Sequence, residues 1–375
     1  MSSANAYSPL DRLLHHVAFA SPKVQQALCA LEEDLFASRL ATACEGGREV
    51  FVTGLPRSGT TLLLEMLHVT GEFATFTYRH MPFILAPLLW ERLSRLSRRA
   101  ATRRERAHGD GMEVSFDSPE AFEEVVWLSY LRERYVKPDR ILPLAPDLDV
   151  DAFATALRGT IRKLILLKGA DRAEPPRYLS KNNANIARLG LLARLFPSAT
   201  ILIPFRHPLA HVGSLMTQHE RFLREQTADR FSRSYMRWLG HFEFGAELRP
   251  IDFDGWIDTS RHLPGLDTGF WLAYWTAAYR HALAHRPSNA VFVDFDALLH
   301  GGAGELACLA EQVGLEHSDA LIAQAAKLRA PTSRPAAATG APSAELQAAL
   351  ETYERLVTEA EWRPPAPSLI KLDAV

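Results

Sequence analysis

Several things are missing from this sequence, and each absence removes a class of function. The 375 residues carry 42 Lys and Arg against 44 Asp and Glu, a formal net charge of -2. With no excess of positive charge, nothing global points to nucleic acid. Only three cysteines occur, Cys29, Cys44 and Cys308. They are scattered, with neither metal-ligand spacing nor a disulfide framework, so a reducing, cytoplasmic setting is expected. The opening stretch MSSANAYSPLDRLLHHVAFASP lacks a basic region followed by a long apolar core, and no signal peptide is expected. No run of about 18 apolar residues occurs, so no membrane span is expected. Internal repeats are absent too. His15-His16 has no partner acids at metal spacing and reads as part of an ordinary helix.

What is present suits a sizeable α/β core, with 47% hydrophobic and 23% charged residues. Leu13, Leu14, Val17, Leu28, Leu31 and Leu35 give helical spacing over 8–45, ended by Gly46-Gly47. Residues 50–53 read as a buried strand and 58–69 as a helix. In PFILAPLLWERLSRLSRRAATRRERAHGDG, the residues Arg92, Arg95, Arg99, Arg103 and Arg106 fall on one helical face. Ser118-Pro119 predicts an N-cap and first helical residue for a helix reaching about 135. Phe153, Leu157, Ile161 and Leu164 predict a helix over 151–167. Then strand 177–181, helix 183–196, strand 199–205 and a helix opened by Pro208 form a parallel βαβ unit. A helix at 268–285, a strand at 290–295, a helix at 304–313, a connector at 330–342 and a helix at 343–361 complete the chain. Trp271, Trp275 and Tyr279 share one stripe and read first as core, the alternative being one ring stacked near a nucleotide base.

The most informative absence is a single lysine. VFVTGLPRSGTTLLLEML (50–67) reads as strand, glycine turn and helix, with the pattern Gly54-x-x-x-x-Gly59-Thr60-Thr61. Glycines let backbone N–H groups approach an anion, and the helix presents its positive N-terminus. In nucleoside-triphosphate loops a Lys follows the second Gly and reaches the β- and γ-phosphates. Here Thr60 stands there, and the cation has moved into the turn as Arg57. Such a loop suits a short anion with one bridging oxygen to stabilise. A second stretch, ILIPFRHPLAHVGS (201–214), puts Arg206 at a strand's carboxyl end and Ser214 eight residues on. Ligands of open parallel sheets sit beyond that edge, so Arg206 and Ser214 are placed to clamp a second phosphate. Asp294 in VFVDFD looks like a kinase metal-site acid, but without the loop lysine it reads as structural.

GLPRSGTTLL and RHPLAHVGS together resemble the sulfotransferase superfamily, and LSKNNANIARLGLLARLFPSATILIPFRHP is similar to its bacterial and tyrosylprotein-type members. The resemblance runs from about 49 to 315. It implies a P-loop-type parallel sheet flanked by helices, with a largely helical insertion at about 75–150. It divides the chain into an N-terminal helical segment (1–48), a sulfotransferase domain (49–330) and a connector, helix and tail (331–375). The implied donor is 3′-phosphoadenosine 5′-phosphosulfate (PAPS), and no metal is implied. Arg57 would contact the bridging oxygen, Ser58, Gly59, Thr60 and Thr61 the 5′-phosphate, and Arg206 and Ser214 the 3′-phosphate. The partner would be an unidentified hydroxyl-bearing acceptor, or less favourably an amine.

The proton acceptor is left open. Cytosolic members carry Lys-x-His where this chain reads Lys181-Asn182-Asn183. Lys181 is the candidate for polarising the sulfuryl oxygens, but an amide cannot serve as base. Two histidines are candidates, His80 in TFTYRHMPF and His108 in RERAHGDGM. Glu65, on the helix after the loop, is less attractive. The arginine face at 92–106 reads first as a solvated helix. Two other functions compete with sulfuryl transfer, an ATP-dependent P-loop phosphotransferase and a non-catalytic nucleotide-binding protein.

Overall fold

The computed structural model describes residues 8–42, 47–95, 104–105, 113–114, 117–169, 174–259, 265–328 and 343–360. Its centre is a five-stranded sheet. In chain order the strands of the protein are β1 (Val50–Val52), β2 (Phe73–Ala74), β3 (Arg104–Glu105), β4 (Glu113–Val114), β5 (Arg177–Lys181), β6 (Thr200–Phe205) and β7 (Ala290–Asp294). The sheet order is β2-β5-β1-β6-β7, every neighbouring pair parallel, while β3 and β4 form a separate antiparallel pair. β1, β6 and β7 are almost wholly buried, as expected of parallel strands covered on both faces. Val52 of β1 lies level with Lys181 on one side and Leu202 on the other. The carboxyl ends of β1, β5 and β6 therefore open onto one edge.

The βαβ unit forms as its pattern predicts. Between β5 and β6, Asn183–Arg188 is a 3-10 turn and Leu189–Leu195 an α-helix. Pro208 is the first residue of the helix Pro208–Ala228. The helix Thr268–Ala284 packs across the core, with Trp271, Trp275 and Tyr279 all buried. The helix Ser343–Glu359 lies against it. At the other end, the helix Pro22–Leu35 is tied to Asp151–Gly169 by the fully buried ion pair of Glu32 and Lys163, 3.4 Å apart.

Two expectations are corrected. The helix Pro87–Arg95 does not continue as one arginine-faced rod through 106, because Arg104–Glu105 is extended and pairs with Glu113–Val114. Arg99, Arg103 and Arg106 lie outside the described residues. Pro119 does not open a helix either. The helix there is Glu123–Tyr135. Ahead of it, the chain pairs with the segment after β2, Glu120 N–H donating to Phe76 O at 3.0 Å and Tyr78 N–H to Ser118 O at 3.3 Å. Those cross-chain bonds satisfy the backbone that a helical turn would otherwise use. No helix among the described residues is long and apolar enough to cross a membrane.

Candidate functional site

The loop between β1 and the helix Thr60–His68 is shaped by two left-handed residues. Gly59, at φ 103°, is the helix N-cap, and a Cβ there would stand 2.2 Å from the Phe295 ring. Only glycine fits under that ring. Arg57 is also left-handed, at φ 70°, although it is not glycine. Such a conformation is held by its surroundings and points to a functional constraint. Arg57 Nε donates to Ser214 Oγ at 3.1 Å. The carbonyl of Arg57 accepts from Arg206 Nη1 at 3.3 Å. Arg206 Nε in turn reaches Asp296 Oδ1 at 3.4 Å, and the other oxygen of Asp296 accepts from His207 N–H at 2.8 Å. The two motifs singled out in the sequence thus meet at the carboxyl edge of the sheet. Two guanidinium groups stand beside first-turn N–H groups that have no intrahelical acceptor, an arrangement suited to an anion.

The remaining loop side chains divide. Ser58 is buried and Thr61 half-buried. The Thr60 hydroxyl donates to Asn183 Oδ1 at 3.2 Å, so its backbone N–H is what it offers an anion. Asp294 accepts from the N–H groups of Asp296 and Ala297, both at 3.0 Å, and so caps the helix that carries Phe295. That is the structural role expected of it.

Beneath the loop stands a buried pillar. Trp275 Nε1 donates to His211 Nδ1 at 3.0 Å. Nε2 of His211 must therefore carry the proton, and it donates to the Pro56 carbonyl at 2.8 Å. Burial lowers the pKa of His211 from 6.5 to about 3, helped by the charges of Arg206 and Arg57 and opposed by the bond to Pro56. Between those values the unfolded chain binds a proton that the folded one refuses. This contribution to stability is intact above pH 6.5 and declines as the pH falls, by at most about 1.4 kcal/mol per unit. Denaturant titrations between pH 7.5 and 4 should show His211→Gln less stable than wild type at pH 7.5 but with a flatter acid decline. Parallel profiles would rule out a neutral His211.

Next to the loop lies a narrow cleft, lined by Gly54, Lys181, Asn183, His241, Glu243 and Tyr274 among others. Lys181, the last residue of β5, is buried in its wall. The two asparagines after it are braces. Asn182 Nδ2 donates to Glu124 Oε2 at 2.8 Å, and Asn183 Nδ2 donates to Glu243 Oε1 at 3.1 Å. Glu124 also faces the cleft, but its oxygens are engaged by Tyr135, Asn182 and Arg188. His241 Nδ1 lies 3.5 Å from Glu243 Oε2. Burial would raise the pKa of Glu243. The hydrogen bond and charge of His241, then the charge of Lys181 and the Asn183 amide, outweigh it and hold the carboxyl at about 2. Glu243 thus sets a carboxylate beside an imidazole in the cleft wall.

His80 is not in that wall. It is buried in the turn Tyr78–His80, its Nδ1 accepting from the Thr77 N–H at 3.0 Å. His108 lies outside the described residues. His241 and Glu243 belong to no motif seen in the sequence, and Asn183 figures there only as the amide in place of a histidine. The visible signal was the alternation His241-Phe242-Glu243-Phe244 after Gly240, with Phe242 and Phe244 buried and the two polar residues on the other side.

Comparison with known proteins gives one family. A family model described as "Sulfotransferase family" matches residues 49–250, more than half of the chain. Among solved structures, sulfotransferase STF9 from Mycobacterium avium is 13% identical, with a TM-score of 0.50 over 94% of this chain and 87% of that one. Sulfotransferase STF1 from Mycobacterium tuberculosis H37Rv is 15% identical, with a TM-score of 0.47 over 92% and 85%. At such identities the likeness to STF9 speaks for the fold alone. Against curated proteins the chain finds no match.

Proposed function

Because the chain belongs to the sulfotransferase family, we propose that it moves a sulfuryl group from PAPS to a hydroxyl acceptor, or less favourably an amine, by in-line displacement without a metal. The observation that carries this reading is the meeting of Arg57, Arg206 and Ser214, with contacts of 3.1 and 3.3 Å, at the N-terminus of the loop helix. A donor with one 5′-phosphate and one 3′-phosphate offers an anion to each arginine and leaves a loop lysine with nothing to hold. The backbone N–H groups of Gly59, Thr60 and Thr61, with buried Ser58, would cradle the 5′-phosphate. Arg206 and Ser214 would take the 3′-phosphate, Arg57 exchanging its bond to Ser214 for the oxygen between phosphorus and sulfur.

The transfer forms a bond from the acceptor oxygen to sulfur and breaks the bond from sulfur to the 5′-phosphate oxygen. Adenosine 3′,5′-bisphosphate leaves with the electron pair, its charge met by Arg57. Lys181 would neutralise the sulfuryl oxygens. The acceptor's proton needs a base, and we assign it to His241 rather than to His80. His241 lies in the cleft with Glu243 behind it to steady the imidazolium, whereas the Nδ1 lone pair of His80 is already occupied. A phosphotransferase fits less well, since Asp294 serves as a helix cap and no lysine follows Gly59.

Thermal denaturation with nucleotides tests the donor. Adenosine 3′,5′-bisphosphate at about 100 times its Kd should stabilise the protein by roughly 2.7 kcal/mol. ADP, and ATP with magnesium, should stabilise it far less. Equal or greater stabilisation by ATP with magnesium would sink the PAPS reading. Selective binding without turnover of PAPS on a broad panel of phenols, sugars and peptides would favour a non-catalytic role.

A further inference from the structure

At the C-terminal end of the helix Thr268–Ala284, three side chains bring ligand atoms together. His281 and the C-cap residue His285 are four residues apart, so one helical turn brings their rings together, centroids 4.2 Å apart and planes tilted by 30°. The carboxylate of Asp254, from the 3-10 turn Phe253–Gly255, meets His281 Nδ1 at 3.1 and 3.3 Å. One nitrogen from each histidine and one oxygen from Asp254 lie within 4.8 Å of each other. Bonds of roughly 2.0–2.2 Å to a single tetrahedral ion set neighbouring ligand atoms about 3.3–3.5 Å apart, so small side-chain rotations close the gap.

Three further features favour a cation there. Asp254 is left-handed, at φ 53° and ψ 28°, a strained conformation that aims its carboxylate at the helix end. His285 Nδ1 donates to the His281 carbonyl at 3.0 Å, which fixes its tautomer and leaves Nε2 with a free lone pair. The pair also sits in the last turn of the helix, where the carbonyl ends present negative charge. Two imidazoles and one carboxylate match late first-row divalent ions, not magnesium or calcium.

We propose that Asp254, His281 and His285 bind one divalent transition-metal ion, with water completing its shell and Zn²⁺ as the probe of choice. The ion would lie apart from the sulfuryl-transfer chemistry. Its effect would be to fasten the 251–256 turn to the helix. Phe253 packs on both His281, at 5.0 Å, and Tyr274, at 6.2 Å, and Tyr274 belongs to the cleft wall.

The test is calorimetric titration of Zn²⁺ into the chelator-stripped, tag-free chain, with melting curves alongside and Co²⁺ as a spectroscopic probe. One equivalent should bind, raise the melting temperature and give Co²⁺ visible bands of a four- or five-coordinate site. His285→Ala alters an exposed side chain, so it should fold, yet it should weaken binding by about a hundredfold or more. Asp254→Asn keeps the shape and should weaken it similarly. Absence of stoichiometric binding, or the same affinity and Co²⁺ spectrum in both variants, overturns the proposal. No readout depends on sulfuryl transfer, so this result and that of the nucleotide experiment are independent.

Discussion

Replacing Arg57 by glycine is expected to remove sulfuryl transfer and yet leave a more stable protein than replacing it by alanine. Both changes delete the guanidinium. Both lose its bond to Ser214, worth about 1 kcal/mol. Only glycine also relieves the left-handed backbone at φ 70°, which costs a residue with a Cβ roughly 1–2 kcal/mol. The glycine variant should therefore resist urea better than the alanine variant by that margin. Turnover should fall by about 10²–10³ in each, the usual effect of deleting one group aimed at charge that develops in the transition state. The contact from Arg206 goes to the backbone carbonyl of residue 57 and survives either change. Equal stability of the two variants would refute the strain. Near-normal turnover in either would refute the role.

The second large effect is expected at the cleft wall. His241→Ala should lower kcat by about 10²–10⁴, the range associated with general-base catalysis, while stabilisation by adenosine 3′,5′-bisphosphate persists. Glu243→Gln should fall between that variant and wild type, because it keeps the side chain's shape and removes the charge behind the imidazole. His80→Ala is the control. It leaves the Thr77 N–H without its acceptor in a buried turn, a loss of about 1–3 kcal/mol in stability. Its turnover per folded molecule should stay within a few-fold of wild type. A collapse in His80→Ala beside an active His241→Ala would reverse the assignment.

Where the sequence was legible, local chemistry and global fold agreed. The strand at 177–181, the helix opened by Pro208 and the glycine at 59 each follow from a short-range rule that the tertiary structure left in place. The proximity of Arg57, Arg206 and Ser214 was readable because strand ends of a parallel sheet share one edge. Illegible features depended on contacts between distant segments. β2 is two residues long, and its hydrogen bonds go to β5, a hundred positions away. Pro119 looked like a helix start until the backbone beside Phe76 took its neighbours as partners. The bond from Asn183 to Glu243, beside His241, spans 60 positions, and no spacing within 240–251 announces it.

Thr60, Asn183, Glu243 and His241 form a line of polar contacts at 3.2, 3.1 and 3.5 Å. An anion that shifted Thr60 would act on the imidazole through the amide of Asn183 and the carboxylate of Glu243. If His241 is the base proposed above, an acceptor that entered the cleft before the donor would meet an imidazole whose tilt has yet to be set. The kinetic signature of such a linkage is compulsory order, nucleotide before acceptor, with the spent nucleotide departing last.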